Sequence, residues 1–236
     1  MPRAAKTDPA KKGRDEKDPT NTGSAAKGAA KQGRYHHGDL PAALVDAAIE
    51  LIEERGIAGF SLAEVSRRLG VTVAAPYRHF ADRDELLAAI AVRASLELVE
   101  AVAAESKPDA TPADRLAALA RGYVRFAVGR RALFEALFTA GLDKHKYPEL
   151  EQAADDVAAT VFRPAVELCG GDAGEAEALA VAIAAIAHGY SMFLLDGTFG
   201  AVDDAADEVV ARASRAVLDL VRGRAAAQAG KGVGEQ

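Results

Sequence analysis

Positions 72–87 of the chain read TVAAPYRHFADRDELL, and these side chains suit contact with a DNA duplex. The run predicts a short helix, a compact aromatic and basic cluster, and the capped start of another helix. Residues 61–69 have the spacing of a short helix closed by Gly70. Two short helices joined by a Gly-containing turn make a helix-turn-helix, a shape that fits a major groove. The N-terminal residues of the second helix meet the bases, here Thr72, Val73, Ala74 and Ala75. Their small size favours thymine methyls and close backbone approach over bidentate hydrogen bonds. Arg78 can reach a base or a phosphate.

Two further helices must hold this pair in place. Leu40, Leu44, Ala47, Ala48 and Leu51 recur at helical spacing, with Asp39 as cap, Pro41 in the first turn and Gly56 as stop. Ser61 and Glu64 have capping-box spacing, and Leu62, Val65 and Leu69 form one stripe. Thr72 is placed to cap the third helix, which must be short because Asp82 and Glu85 open a fourth over about 83–104. Pro76 makes the third helix's first turn irregular. SKPDATP at 106–112 is the clearest internal boundary, and Thr111-Pro112 reads as a cap and first helical residue. Helices are expected near 112–128, 130–140, 148–169, 173–196 and 203–226, with Pro164 kinking or splitting the third of these. No segment shows sustained two-residue alternation, so the fold class is all-α.

Charge is unevenly spread. Residues 1–34 carry nine Lys/Arg against four Asp/Glu, residues 35–90 five against nine, and residues 91–236 fifteen against 22. The result is an acidic body, net −6 overall, with a basic arm at the end that bears the helix-turn-helix. Residues 1–34 are too polar and simple to offset their ordering entropy and are expected to be disordered, as is a tail at 227–236. Residues 2–34 lack Val, Leu, Ile, Phe and Tyr, which argues against a signal peptide. Residues 178–195 carry no charge but are Ala-rich and interrupted by His188, Gly189 and Ser191, which favours a buried interface helix over a membrane span. One cysteine, Cys169, excludes an internal disulfide, and a cytoplasmic protein is expected.

Residues 35–90, through YHHGDLPAALVDAAIELI and FSLAEVSRRLGVTVAAPYRHFADRDELLAAI, resemble the DNA-binding domain of the TetR family of transcriptional regulators. The match extends to helix order, turn position and the aromatic-His-Phe cluster. It implies a three-helix DNA-binding head at 35–90 on a larger helical ligand-binding and dimerising domain at 91–226. It also implies that Tyr77 and His79 reach phosphates, while Phe80 packs in the core. Arg83 stands where the family commonly has a Lys, meeting a phosphate beside the free amides of its helix, and Ser61 can do the same at the second helix. Arg34, Tyr35, His36 and His37 precede the first helix and suit the minor groove or nonspecific phosphate contact. The His pair has no nearby Cys or further His, so no metal site is expected.

The body resembles a subgroup named for a C-terminal Trp-His-Gly tripeptide; Ala187-His188-Gly189 stands there in this chain, without the Trp. Candidate ligand-lining residues are Tyr123, Phe126, Phe138, Phe162, His188 and Met192. The small residues Ala182, Ala185, Ala213 and Ala216 on the last two helices suit a four-helix dimer interface. No P-loop, zinc signature or nucleophile elbow is present, so neither enzyme activity nor a cofactor is expected. The resemblance implies a homodimeric repressor on a palindromic DNA operator, released by a small apolar effector, with no membrane partner. Two alternatives stand beside it. One is a helical carrier or enzyme with the head as an interaction module; the other is a constitutive architectural DNA-binding protein.

Overall fold

Asp39 opens the first helix by accepting the Ala42 amide at 3.3 Å, and α1 (Leu40–Arg55) ends at Gly56, whose φ of 70° few other residues adopt. Its buried face, Leu44, Ala47, Ala48, Leu51 and Ile52, is the stripe expected from spacing. These observations come from a computed structural model that describes residues 39–233, with side chains as far as residue 227. The arm at 1–34 lies outside the described residues.

A 3₁₀ turn at Ile57–Gly59 leads to α2 (Leu62–Leu69). Ser61 Oγ accepts the Glu64 amide at 3.3 Å, but the reciprocal half of the capping box is not made. Arg55 of α1 engages the Glu64 carboxylate instead, a pairing between helices that the local sequence does not encode. The expected third helix is not α-helical. Residues 73–75 form turns, followed by a single 3₁₀ turn at Pro76–Arg78. The Thr72 carbonyl accepts the Ala75 amide at 2.9 Å, and the Pro76 carbonyl accepts the amides of both His79 and Phe80 at 2.9 Å. Pro76 has no amide to extend an α-helical ladder, and the Asp82 cap follows too soon for another turn. Asp82 accepts the Glu85 amide at 2.9 Å, and the Glu85 carboxylate in turn accepts the amide of Ala81, the residue before the cap.

The fourth helix of the sequence reading is α3 (Arg83–Ala104), which runs unbroken from the DNA-facing end into the body. There follow α4 (Pro112–Gly129), α5 (Arg131–Phe138), α6 (Pro148–Leu168), α7 (Ala173–Leu195) and α8 (Val202–Val233). The described residues contain no strand. Pro164 does not split α6. Its ring is buried beside Ala165, and packing on that face carries the helix past the missing donor. The tail expected from 227 is helical to Val233, in keeping with the helix-favouring Ala-rich run at 225–229.

Buried side chains form a continuous core from Leu44 in α1 to Val221 in α8, with α4 packed against α3, α6, α7 and α8. Arg121 on α4 clamps this arrangement. Its guanidinium donates to Glu105 Oε2 at 3.0 Å and to Ser214 Oγ on α8 at 2.9 Å. Ala213 is 0% exposed within this core, so it serves the single chain's packing and offers nothing to a partner surface. Its small size reflects the close approach of α8 to α4, which helical spacing cannot distinguish from a dimer contact.

Candidate nucleic-acid interface and apolar cavity

The turn between α2 and α3 separates its side chains into two sets. Pro76 and Phe80 are buried and anchor it, whereas Thr72, Val73, Ala74, Tyr77, Arg78 and His79 are exposed. Val73 and Tyr77 are each 55% exposed, far from the core role open to an aromatic at that spacing. Ala75 is half-buried, and Ser61 is half-buried, its hydroxyl oxygen accepting in the α2 cap while its O–H can still donate. Arg83 turns inward. Its Nε donates to the Phe60 carbonyl at 3.3 Å, its fork also donates to the Ile57 carbonyl, and its carbon centre lies 4.6 Å from the Phe60 ring centroid. The start of α3 is thereby tied to the entry of α2. Arg34, Tyr35, His36 and His37 lie outside the described residues.

The body holds an open-sided cavity of about 760 Å³ between α3, α4, α5, α6 and α7. Of the six candidate residues, Tyr123, Phe138 and Phe162 line it. Phe126 is buried in the core and Met192 is half-buried, and neither lines the cavity. His188 stands behind the wall, with Nδ1 3.0 Å from the Tyr123 hydroxyl and its ring against Phe134 and Phe138. Sequence reasoning missed Ser95, Lys144, Thr160 and Glu177, the other hydrogen-bonding side chains at the cavity. Ala91, Ser95, Leu98 and Val102 of α3 follow helical spacing, but a stripe that faces a cavity looks the same as one that faces a neighbour.

Burial raises the Tyr123 phenol above its ordinary range, so it stays protonated, and burial lowers His188 so that it stays neutral near pH 7. An unfolded His takes up its proton near about pH 6.5. As pH falls below that value the unfolded chain binds a proton that the folded His188 resists. The stability contributed by neutral His188 is therefore complete above about pH 6.5 and is lost as pH falls through the lower folded value. His188→Gln should narrow the difference in unfolding midpoint between neutral and mildly acidic buffer. An unaltered difference would show that the pH response does not arise at His188.

On α7 and α8, Ala185 is exposed while Ala182 and Ala216 are half-buried. Val181 and Phe193 add large exposed apolar surface on α7. That helix is long and apolar enough to cross a membrane by length and composition, yet it also enters the core through Leu179, Ile183, Ala187 and Leu194. Among the described residues no cluster of His, Cys, Asp or Glu is arranged to hold a metal.

Among the described residues, α2 and the exposed turn after it, set on a cavity-bearing helical body, define the architecture of helix-turn-helix DNA-binding regulators. Residues 44–90 match the bacterial regulatory proteins of the tetR family, and residues 116–217 match the tetracyclin repressor-like C-terminal domain. The chain belongs to the TetR family of transcriptional regulators. It is 26% identical over 163 residues to the uncharacterized HTH-type transcriptional regulator YobS of Bacillus subtilis (strain 168), covering 68% of this chain and 82% of that protein. A Rhodococcus sp. RHA1 protein of unknown function has a similar structure, with 29% identity, a TM-score of 0.64, and coverage of 80% of this chain and 98% of that one. FadR from Bacillus subtilis, solved in complex with stearoyl-CoA, shares the fold at 17% identity and a TM-score of 0.57, over 76% of this chain and 96% of that one.

Proposed function

We propose that the chain is a homodimeric repressor, released from a palindromic operator by a small, largely apolar effector. The observation that carries this reading is that one helix serves both ends. α3 begins beside the exposed Tyr77-Arg78-His79 turn and supplies Ala91, Ser95, Leu98 and Val102 to the cavity wall. A ligand that favours one position of this helix shifts the balance between DNA-binding and non-binding arrangements. The exposed apolar side chains of α7, together with Ala182, Ala185 and Ala216, support self-association. A dimer would place two recognition turns in successive major grooves about 34–36 Å apart. The acidic body and the groups that face outward at the turn leave phosphate affinity to Tyr77, Arg78, His79, Ser61 and the basic arm. The stearoyl-CoA complex of FadR supports the view that this frame can hold a largely apolar ligand. The same reading places the protein in the cytoplasm, without catalytic activity, cofactor or membrane partner.

Selection from a random DNA library tests it. The parent chain should enrich a palindrome, and Tyr77→Ala or Arg78→Ala should weaken binding to it by tenfold or more, as expected for loss of contacts worth about 1–3 kcal/mol. Binding without sequence preference would identify an architectural DNA-binding protein. No binding at moderate salt would favour a carrier or enzyme in which the head is an interaction module.

A further inference from the structure

The cavity's chemistry narrows the class of molecule it takes, on the reading that the chain is ligand-controlled. Its wall draws on positions 91–102 of α3, 150–162 of α6 and 173–184 of α7. Each stretch covers three turns of helix, roughly 16 Å at 1.5 Å per residue. The polar side chains within the wall already have partners. Ser95 Oγ donates to the Ala91 carbonyl at 3.0 Å, Thr160 Oγ1 donates to the Val157 carbonyl at 2.6 Å, and the Tyr123 hydroxyl meets His188. The rest is mainly aliphatic, so the middle of a bound molecule needs no hydrogen-bonding groups and loses affinity by carrying them.

Charge enters only at the ends. Lys144 lines the cavity from the 3₁₀ turn Lys144–Lys146, just before α6. Glu177 lines it from α7, just after the turn that follows α6. Neither side chain makes an ion pair or hydrogen bond among the described residues. The two ends are not equivalent. Glu175, in the first turn of α7, engages Arg224 at 3.5 Å, so that guanidinium is already paired and Glu177 is the charged side chain in the wall at this end. At the other end His145 takes Glu151 at 2.7 Å, leaving Lys144 and Lys146 as two ammonium groups without a carboxylate partner. An ammonium at an apolar mouth suits an anion, and a carboxylate at the far end disfavours the reverse orientation of that anion.

We propose that the effector is a long-chain acyl compound with an anionic head, its head at Lys144 and its aliphatic tail running along α3 and α6 toward Glu177. The shared chemistry is a linear hydrocarbon tail with a negative head, carried by a free fatty acid or by an acyl thioester of a phosphorylated carrier.

The test uses the full chain and calorimetric titration with saturated fatty acids of increasing length, the matching acyl-CoA, and alkyl alcohols and alkyltrimethylammonium ions of equal length. The acids should tighten by about fourfold per added methylene, as apolar transfer predicts, until the tail fills the cavity. The alcohol should bind about tenfold more weakly than the acid, and the ammonium ion more weakly still. Lys144→Glu should cost the acid at least tenfold while leaving the alcohol unchanged, a contrast that general unfolding would not produce. Tighter binding of acyl-CoA than of the acid assigns the thioester as the source, and the opposite order assigns the free acid. Preference for the ammonium ion, affinity that ignores chain length, or no binding by any acyl compound overturns the proposal. Operator DNA release is measured separately. Acids that bind without releasing DNA leave the ligand assignment standing and defeat ligand-controlled repression; release by unrelated compounds while acids fail to bind does the reverse.

Discussion

Gly122→Val is expected to lower the unfolding free energy by about 3 kcal/mol, at the upper end of overpacking costs, and the melting temperature by roughly 6–12 °C for a chain of this size. The reason is the crossing of α3 and α4. A Cβ built on Gly122 would lie 2.6 Å from the Val102 Cα, 2.7 Å from the Ala101 carbonyl oxygen and 2.8 Å from the Val102 amide nitrogen. All three are backbone atoms of α3, so no rotamer change relieves the contact and the helices must separate. Gly122→Ala sets that clash against a helix-propensity gain of about 1 kcal/mol, and the clash is expected to win. Gly223→Ala on α8 is the control, because no atom lies within 4 Å of its Cβ position and only the propensity gain remains. Denaturant titration of the three variants decides it. A Gly122→Ala protein as stable as the parent would show that α3 and α4 do not approach this closely. Because Val102 also lines the cavity, loss of stability should be accompanied by altered ligand affinity.

Arg83→Met is expected to cost about 2–3 kcal/mol, from two charge-assisted hydrogen bonds and a cation–π contact that are partly screened by solvent. DNA affinity should fall with it, since the guanidinium ties α3 to the backbone at Ile57 and Phe60, just before α2. Arg83→Lys keeps the charge but not the planar fork and should restore little of the stability. Salt dependence separates positioning from direct contact. A residue that neutralises a phosphate reduces the slope of log affinity against log salt by about one when removed, whereas a positioning residue leaves the slope in place. Unchanged stability together with a shallower slope would assign Arg83 to the phosphate.

The sequence announces most helices because their ends carry local chemistry. Asp39, Ser61, Asp82, Thr111 and Asp172 each accept an amide of the following turn, and the α3 bounds expected from such signals are those observed. What a distant partner decides is not legible locally. Thr72 has the right side chain to cap a helix, but Pro76 and the early Asp82 cap leave room for no more than turns. Arg83 looks like a surface cation because the Ile57 and Phe60 carbonyls that receive it lie more than twenty positions upstream. Ala213 and Ala185 are the same residue type on adjacent helices, yet one is sealed against α4 and the other faces outward. Phe126 and Phe138 are equally apolar, and only the tertiary arrangement places Phe138 at a cavity. At the turn the core role of Phe80 is readable from the sequence, whereas the burial of Pro76 beside it emerges only from the structure.

The unbroken course of α3 sets an angular tolerance. Its 22 residues span roughly 33 Å, so a 5° swing about the Ala104 end carries Arg83, and the turn fastened beside it, through about 3 Å. A hydrogen bond to a phosphate is lost within an ångström or so of stretch. On the proposed reading, a few degrees of helix rotation therefore suffice to break a phosphate contact made at the turn. In a symmetric pair the two displacements add.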